Sequence, residues 1–99
     1  MGRTFYSDYV DHCMRFYARY PHPKFRSQTD KRNWNACDTI LGGFTDDDRE
    51  ILLSVYREKD TVPDTVFKLA KNKGIPQDKI WDLISELELK VAKKRDLIS

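Results

Sequence analysis

The sequence predicts an all-α protein, a compact bundle of about five helices. Apolar residues recur at steps of three and four along most of the 99-residue chain, which is the spacing of amphipathic helices. No segment alternates apolar and polar residues with the period of two that a half-buried strand shows. Residues that cap or end helices separate the periodic stretches. We expect a single domain over residues 1–99, with residues 1–43 packing on residues 44–95.

Two helices are predicted in the N-terminal part. Residues 4–20 carry a wide apolar stripe rich in aromatic side chains, and the Pro-His-Pro segment at residues 21–23 ends this helix, because a proline forces the preceding residue out of the α region. The second helix begins with Ser27 or Thr29 as its N-cap. It ends at the glycine pair of residues 42–43.

Three helices are predicted in the C-terminal part. The third begins at Thr45, with Asp48 at the spacing of a capping box. The fourth begins near Thr61, which offers the same type of cap, and runs to Lys73. Its predicted buried residues are Val66, Phe67, Leu69 and Ala70. The fifth helix covers about residues 76–94, and its predicted inner face holds Ile80, Leu83, Ile84, Leu87 and Val91.

Composition excludes several classes of function. No apolar run approaches the roughly 20 residues of a transmembrane helix, and the N-terminus lacks an apolar signal segment, so we expect a cytoplasmic protein without membrane contact. Cys13 and Cys37 occupy apolar positions, and together with His12 and His22 they lack the paired spacing of zinc ligands. The chain has no phosphate-binding glycine loop and no nucleophile elbow. We therefore expect no enzyme, no catalytic residue, no metal and no cofactor.

The segment of residues 66–85 has the pattern of a helix-turn-helix. Ala70 is small, as required where two helices approach closely, and Gly74 can adopt the positive φ that ends the first helix. Ile80 and Leu83 follow six and nine residues beyond this glycine and face the core. This spacing predicts a C-terminal helix-turn-helix, although an α-hairpin that only closes a small bundle would show it too.

Residues 44–95 resemble region 4 of the sigma-70 family, which reads a promoter element, and the related small phage and mobile-element regulators. The matching features are the Thr-capped acidic start at Thr45, the leucine-rich helix that ends in Tyr56, the helix-turn-helix pattern, and the basic tail from Lys90 to Arg95. The resemblance covers about the last half of the chain. It implies a bacterial transcription regulator that binds double-stranded DNA.

The resemblance also implies which residues would contact DNA. The positions of the recognition helix that would face the bases are Gln77, Asp78, Lys79, Trp81, Asp82 and Ser85. Contacts with the DNA backbone would come from Lys68, Lys71, Lys73, Lys90, Lys93, Lys94 and Arg95. The sequence departs from the family at this helix, which carries the acidic residues Asp78, Asp82, Glu86 and Glu88. Carboxylates repel the phosphates that supply most of the binding energy.

A protein-interaction module is the alternative function. The acidic fifth helix and Trp81 would then dock onto a basic surface, such as RNA polymerase or another regulator; Trp81 could equally cover the edge of the core. Local ion pairs of Asp78, Asp82 and Glu86 would favour DNA binding, whereas an uncompensated acidic stripe would favour a protein partner. Either function is compatible with a monomer or a homodimer.

The positive charge of the chain lies in its N-terminal part. Residues 1–44 contain seven Arg or Lys against four Asp, whereas residues 45–99 contain eleven basic and twelve acidic residues. Residues 15–34 interleave six of the cations with five aromatic rings. This composition suits the phosphates and bases of a nucleic acid, but aromatic residues at helical spacing also pack inward as core.

Overall fold

The five predicted helices are all present. The structure is a computed structural model that describes residues 5–20 and 24–98, in which no strand occurs. The helices are α1 (Ser7–Arg19), α2 (Gln28–Leu41), α3 (Asp46–Arg57), α4 (Val62–Lys73) and α5 (Gln77–Lys94). The radius of gyration is 13.0 Å, close to the roughly 13 Å expected of a compact chain of this length. The prediction of a compact all-α bundle is confirmed.

Side-chain caps start three helices where the sequence predicts them. The hydroxyls of Ser27, Thr45 and Thr61 each accept a hydrogen bond from the backbone N–H three residues later, at 3.1, 3.2 and 3.4 Å. The cap of α2 is therefore Ser27 and not Thr29. The predicted start of α1 at residue 4 and its predicted stop at residues 21–23 lie outside the described residues, and within them α1 begins at Ser7.

The core lies between all five helices. Helix α1 packs on α2, α3 and α5, and α4 packs on α3 and α5. Helix α5 also packs on α2 and α3. Every helix contributes a fully buried side chain. Large examples in chain order are Met14, Leu41, Leu52, Tyr56, Val66, Ile80, Ile84 and Leu87. The first two helices thus complete a core that the three C-terminal helices share.

Phe67 does not belong to this core, contrary to the prediction. Its side chain is 57% exposed, whereas the neighbouring Val66 is fully buried. One residue corresponds to a rotation of about 100° around a helix axis, so Phe67 faces away from the stripe that begins with Val62 and continues at Val66. Val66 and Phe67 are both apolar but lie on different faces of α4, so apolar character alone does not predict which of them is buried.

One buried polar junction ties three parts of the chain together. The Oδ1 atom of Asn33 in α2 accepts hydrogen bonds from the hydroxyl of Tyr9 in α1, at 2.8 Å, and from Nε of Arg95 after α5, at 2.7 Å. Asn33 is 6% exposed and Arg95 is half-buried. The resemblance assigned Arg95 to the DNA backbone, but the structure directs its guanidinium group to Asn33 instead.

A second long-range contact fixes the connection between α3 and α4. The guanidinium group of Arg15 in α1 donates to the backbone carbonyls of Glu58 and Asp60, at 2.6 and 2.8 Å. Both carbonyls belong to the connection that follows α3, where backbone carbonyls no longer have an intrahelical N–H donor. Arg15 therefore holds the start of α4 in place relative to α1.

Candidate functional site

A three-residue corner joins α4 to α5. Gly74 has φ 66° and ψ 31°, in the left-handed region, and the backbone N–H groups of Gly74 and Ile75 both donate to the carbonyl of Ala70. Pro76 then precedes the first residue of α5. The predicted positive φ of Gly74 is confirmed, and it sets the point at which α4 ends and α5 departs.

Replacing Gly74 by alanine is expected to lower the free energy of unfolding by about 1 kcal/mol, because an L side chain strains the left-handed conformation. A Cβ atom at this position would meet no heavy atom within 4 Å, so the cost is conformational and involves no clash. Urea unfolding measures it. Gly74→Asn is the matched comparison, since asparagine tolerates this conformation better; an alanine variant as stable as the asparagine variant would contradict the explanation.

The six residues of α5 that were predicted to face the DNA bases differ in exposure. Its N-terminal end exposes four of them: Gln77, Asp78, Lys79 and Asp82. The other two, Trp81 and Ser85, are half-buried. Trp81 packs against the hydrophobic core, as its interpretation as a cover for the core edge predicts. The exposed members of this set therefore all lie on the first two turns of α5.

The acidic residues of α5 are only partly compensated. Glu86 forms an ion pair with Lys90, with 3.2 Å between the carboxylate and the ammonium nitrogen. Within the described part of the chain, neither Asp78 nor Asp82 has an ion pair. Glu88 is buried, at 5% exposure. On the exposed turns of α5, the carboxylates without an ion pair among the described residues are therefore those of Asp78 and Asp82.

The predicted backbone-contacting cations also divide into two groups. Three have partners within the fold: Lys68 pairs with Asp60, Lys90 lies 5.1 Å from the ring centroid of Phe44 in addition to its pair with Glu86, and Arg95 binds Asn33. The hydrogen bond and the charge of Asp60 raise the pKa of Lys68. The remaining four are exposed and have no ion pair among the described residues: Lys71, Lys73, Lys93 and Lys94.

The exposed lysines of the predicted DNA-contacting set that have no ion pair among the described residues lie near the two ends of α5. Lys71 and Lys73 occupy the last turn of α4, beside the corner, and Lys79 lies in the first turn of α5. Lys93 and Lys94 lie at the opposite end of α5, about 20 Å along the helix from Lys79. We define the corner surface as the six exposed residues Lys71, Lys73, Gln77, Asp78, Lys79 and Asp82.

The aromatic and basic segment of residues 15–34 contains both core and surface. Tyr17 is buried, and Trp34 is half-buried with its ring centroid 5.0 Å from that of Tyr17, so these two rings follow the core interpretation. Phe16, Tyr20 and Phe25 instead line an open depression of about 590 Å³. Periodicity could assign the inward rings of α1, but it gives no orientation to a ring such as Phe25 that lies between the helices.

The described residues offer no metal centre and no membrane span. No three His, Cys, Asp or Glu side chains in residues 5–20 and 24–98 come together as metal ligands could. His22 lies outside this part of the chain. None of the described helices combines the length and the apolar character needed to cross a bilayer.

Comparison of the chain with family models, with curated proteins and with solved structures gives no match.

Proposed function

We propose that this protein is a small helix-turn-helix transcription regulator of the sigma-region-4 type, and that it binds duplex DNA with the corner surface. One observation carries the proposal. The first turns of α5 are exposed directly after a left-handed glycine corner, and free lysines flank them on α4. A recognition helix of this motif presents its N-terminal residues to the base edges, while neighbouring cations contact phosphates.

The residues of the corner surface suit different parts of a DNA duplex. The ammonium groups of Lys71, Lys73 and Lys79 supply sequence-independent contacts with phosphate oxygens. The amide of Gln77 can pair with the N6 and N7 edge of adenine, and a carboxylate such as Asp82 can accept a hydrogen bond from N4 of cytosine. Because the two aspartates oppose the phosphate contacts, we expect weak binding to random DNA and a large gain at the correct site.

Titration of a labelled random-sequence duplex by fluorescence anisotropy at several salt concentrations tests this proposal. Three phosphate contacts predict that the logarithm of the affinity falls with the logarithm of the salt concentration with a slope of about −2.7. Replacing Lys71 and Lys73 together by uncharged residues is expected to reduce the magnitude of the slope by about two. The matched control replaces two other exposed cations, Lys31 and Lys59, by uncharged residues, and we expect it to leave the slope nearly unchanged.

Two outcomes would refute the DNA-binding proposal. The first is the absence of binding even at low salt. The second is an equal loss of affinity in the Lys71/Lys73 variant and in the Lys31/Lys59 control, because binding would then depend on net charge and not on the corner surface.

The uncompensated Asp78 and Asp82 favour a second candidate, a module that binds a basic protein surface such as that of RNA polymerase. Replacing both by asparagine separates the two functions. A DNA-binding corner is expected to gain about fivefold or more in affinity for random duplex, because two charges that repel phosphate are removed. A protein-binding corner is expected to lose its affinity for purified RNA polymerase, without any gain on DNA.

A further inference from the structure

We infer that the depression beside α1 and α2 binds single-stranded nucleic acid. Of the seven residues that line it, we call the three aromatic residues and the Lys and Arg the aromatic platform: Phe16, Tyr20, Lys24, Phe25 and Arg26. Bases would stack on the exposed rings, and the two cations would contact phosphates. The platform belongs to the end of α1 and to the segment before α2, whereas the corner surface belongs to α4 and α5. This inference is therefore independent of the proposed function.

The rings of the platform are open to a ligand. Tyr20 is 46% exposed and Phe25 is 38% exposed, so part of each ring is accessible to a ligand. The ring of Phe16 lies 5.4 Å from that of Tyr20, measured between centroids, and the two are tilted by 52°. The depression of about 590 Å³ falls within the size range of small-ligand sites, so it can accept at least one nucleotide base.

Trp34 contacts the backbone of Tyr20 and the ring of Phe25. Its Nε1–H donates a hydrogen bond of 2.9 Å to the backbone carbonyl of Tyr20. Its ring also contacts Phe25 edge-on, with 6.0 Å between centroids, and packs on the buried Tyr17 from the core side. These contacts restrain the ring of Phe25 and the backbone of Tyr20, which reduces the conformational entropy lost when a base stacks there.

The charges of the platform match a polyanion. Lys24 and Arg26 flank Phe25 in the chain, both are exposed, and neither has an ion pair among the described residues. His12 also lines the depression. One carboxylate, that of Asp30, also lines the depression; it belongs to the first turn of α2, where the helix dipole favours it.

Single-stranded nucleic acid is the occupant that explains both the rings and the cations. Rings and cations that alternate along a groove are the general means of binding single strands, because every base has a face that can stack and every nucleotide carries a phosphate. The bases of a duplex are already stacked inside the helix and cannot reach the rings of Tyr20 and Phe25. The Asp and Glu side chains of an acidic peptide would use the cations but have no ring to stack on Tyr20 and Phe25.

Anisotropy titration of the full chain with labelled oligothymidylate of about 12 nucleotides tests the inference. An abasic oligomer with the same number of phosphates is the control ligand, and an oligouridylate of equal length distinguishes DNA from RNA. We expect oligothymidylate or oligouridylate to bind about fivefold or more tightly than the abasic oligomer. Tyr20→Ala and Phe25→Ala are each expected to reduce this preference by a similar factor, while Phe67→Ala, which removes an exposed ring on α4, leaves it unchanged.

The variants also show whether the effect is local. The side chain of Phe25 contacts Trp34, so circular dichroism must establish that Phe25→Ala folds; Tyr20→Ala gives a second test, because Trp34 binds the backbone of Tyr20 and not its side chain. Arg26→Gln is expected to weaken binding most at low salt. Equal affinity for oligothymidylate and the abasic oligomer, equal losses in Tyr20→Ala and Phe67→Ala, or no binding at low salt would each overturn the inference. Since Lys71 and Lys73 lie outside the platform, their removal is expected to leave single-strand binding intact.

Discussion

Replacing Asn33 by alanine is expected to lower the free energy of unfolding by about 2–3 kcal/mol, because hydrogen bonds to charged groups are strong and two donors lose one shared acceptor. Those donors are the hydroxyl of Tyr9 and the guanidinium group of Arg95, at 2.8 and 2.7 Å. Asn33 is the point at which α1, α2 and the end of α5 meet. Its removal therefore weakens the attachment of the N-terminal helices to the C-terminal ones.

Chemical denaturation of the purified chain, followed by circular dichroism, measures this loss. Asn33→Asp is the matched control, because aspartate keeps the oxygen acceptor in place and adds a charge opposite to that of Arg95. We expect this control to be clearly more stable than Asn33→Ala at neutral pH. If the two variants unfold at the same denaturant concentration, the loss comes from packing around Asn33 and not from its hydrogen bonds.

The same junction affects how DNA-binding data must be interpreted. Arg95 belongs to the basic tail by sequence, but its contact with Asn33 means that Arg95→Ala disturbs the fold. A loss of DNA affinity in that variant would not by itself identify a phosphate contact. Lys93 and Lys94 are exposed and carry no such contact, so they give the cleaner test of the tail.

Features that depend on neighbouring residues could be predicted from the sequence. The caps at Thr45 and Thr61 depend on a hydroxyl and a backbone N–H three residues apart, so the local sequence determines them. The left-handed conformation of Gly74 could be predicted because this glycine directly follows the last turn of the amphipathic helix α4. Together these local signals place the corner surface and most of its exposed residues.

Features that depend on distant residues could not be predicted. Arg95 and Asn33 are separated by 62 positions, and no local pattern indicates that they meet. The charge pattern of α5 shows where Asp78 and Asp82 lie, but only the fold shows that Lys68 and Arg95 have partners elsewhere. Periodicity likewise predicts that Tyr17 is buried but cannot show that Phe25 is held open by Trp34. The two proposed surfaces are therefore defined by which side chains the fold leaves exposed.

Raising the pH from about 8 to about 10.5 is expected to lower the free energy of unfolding by about 3–4 kcal/mol through the two buried thiols. Burial raises the pKa of Cys13 to about 11 and also raises that of Cys37. The folded state therefore holds these protons more tightly than the unfolded chain, whose thiols titrate near pH 9. The stabilisation is fully present below that pH and is lost progressively as the pH rises from there towards the folded-state values.

The double variant Cys13→Ala/Cys37→Ala separates the thiols from the other groups that titrate in this range. It is expected to be less stable than the wild type at pH 8, because two buried side chains become smaller, but its stability should fall less steeply with pH. Tyr17 contributes in the same direction, since burial and its hydrogen bond to Asp38 raise its pKa, and it remains in both proteins. Parallel stability profiles from pH 8 to 10.5 would show that the thiols are not the source of the loss. A flatter profile in the variant would show that the buried thiols hold their protons more tightly than in the unfolded chain, as expected of cysteines that act as small apolar groups of the core.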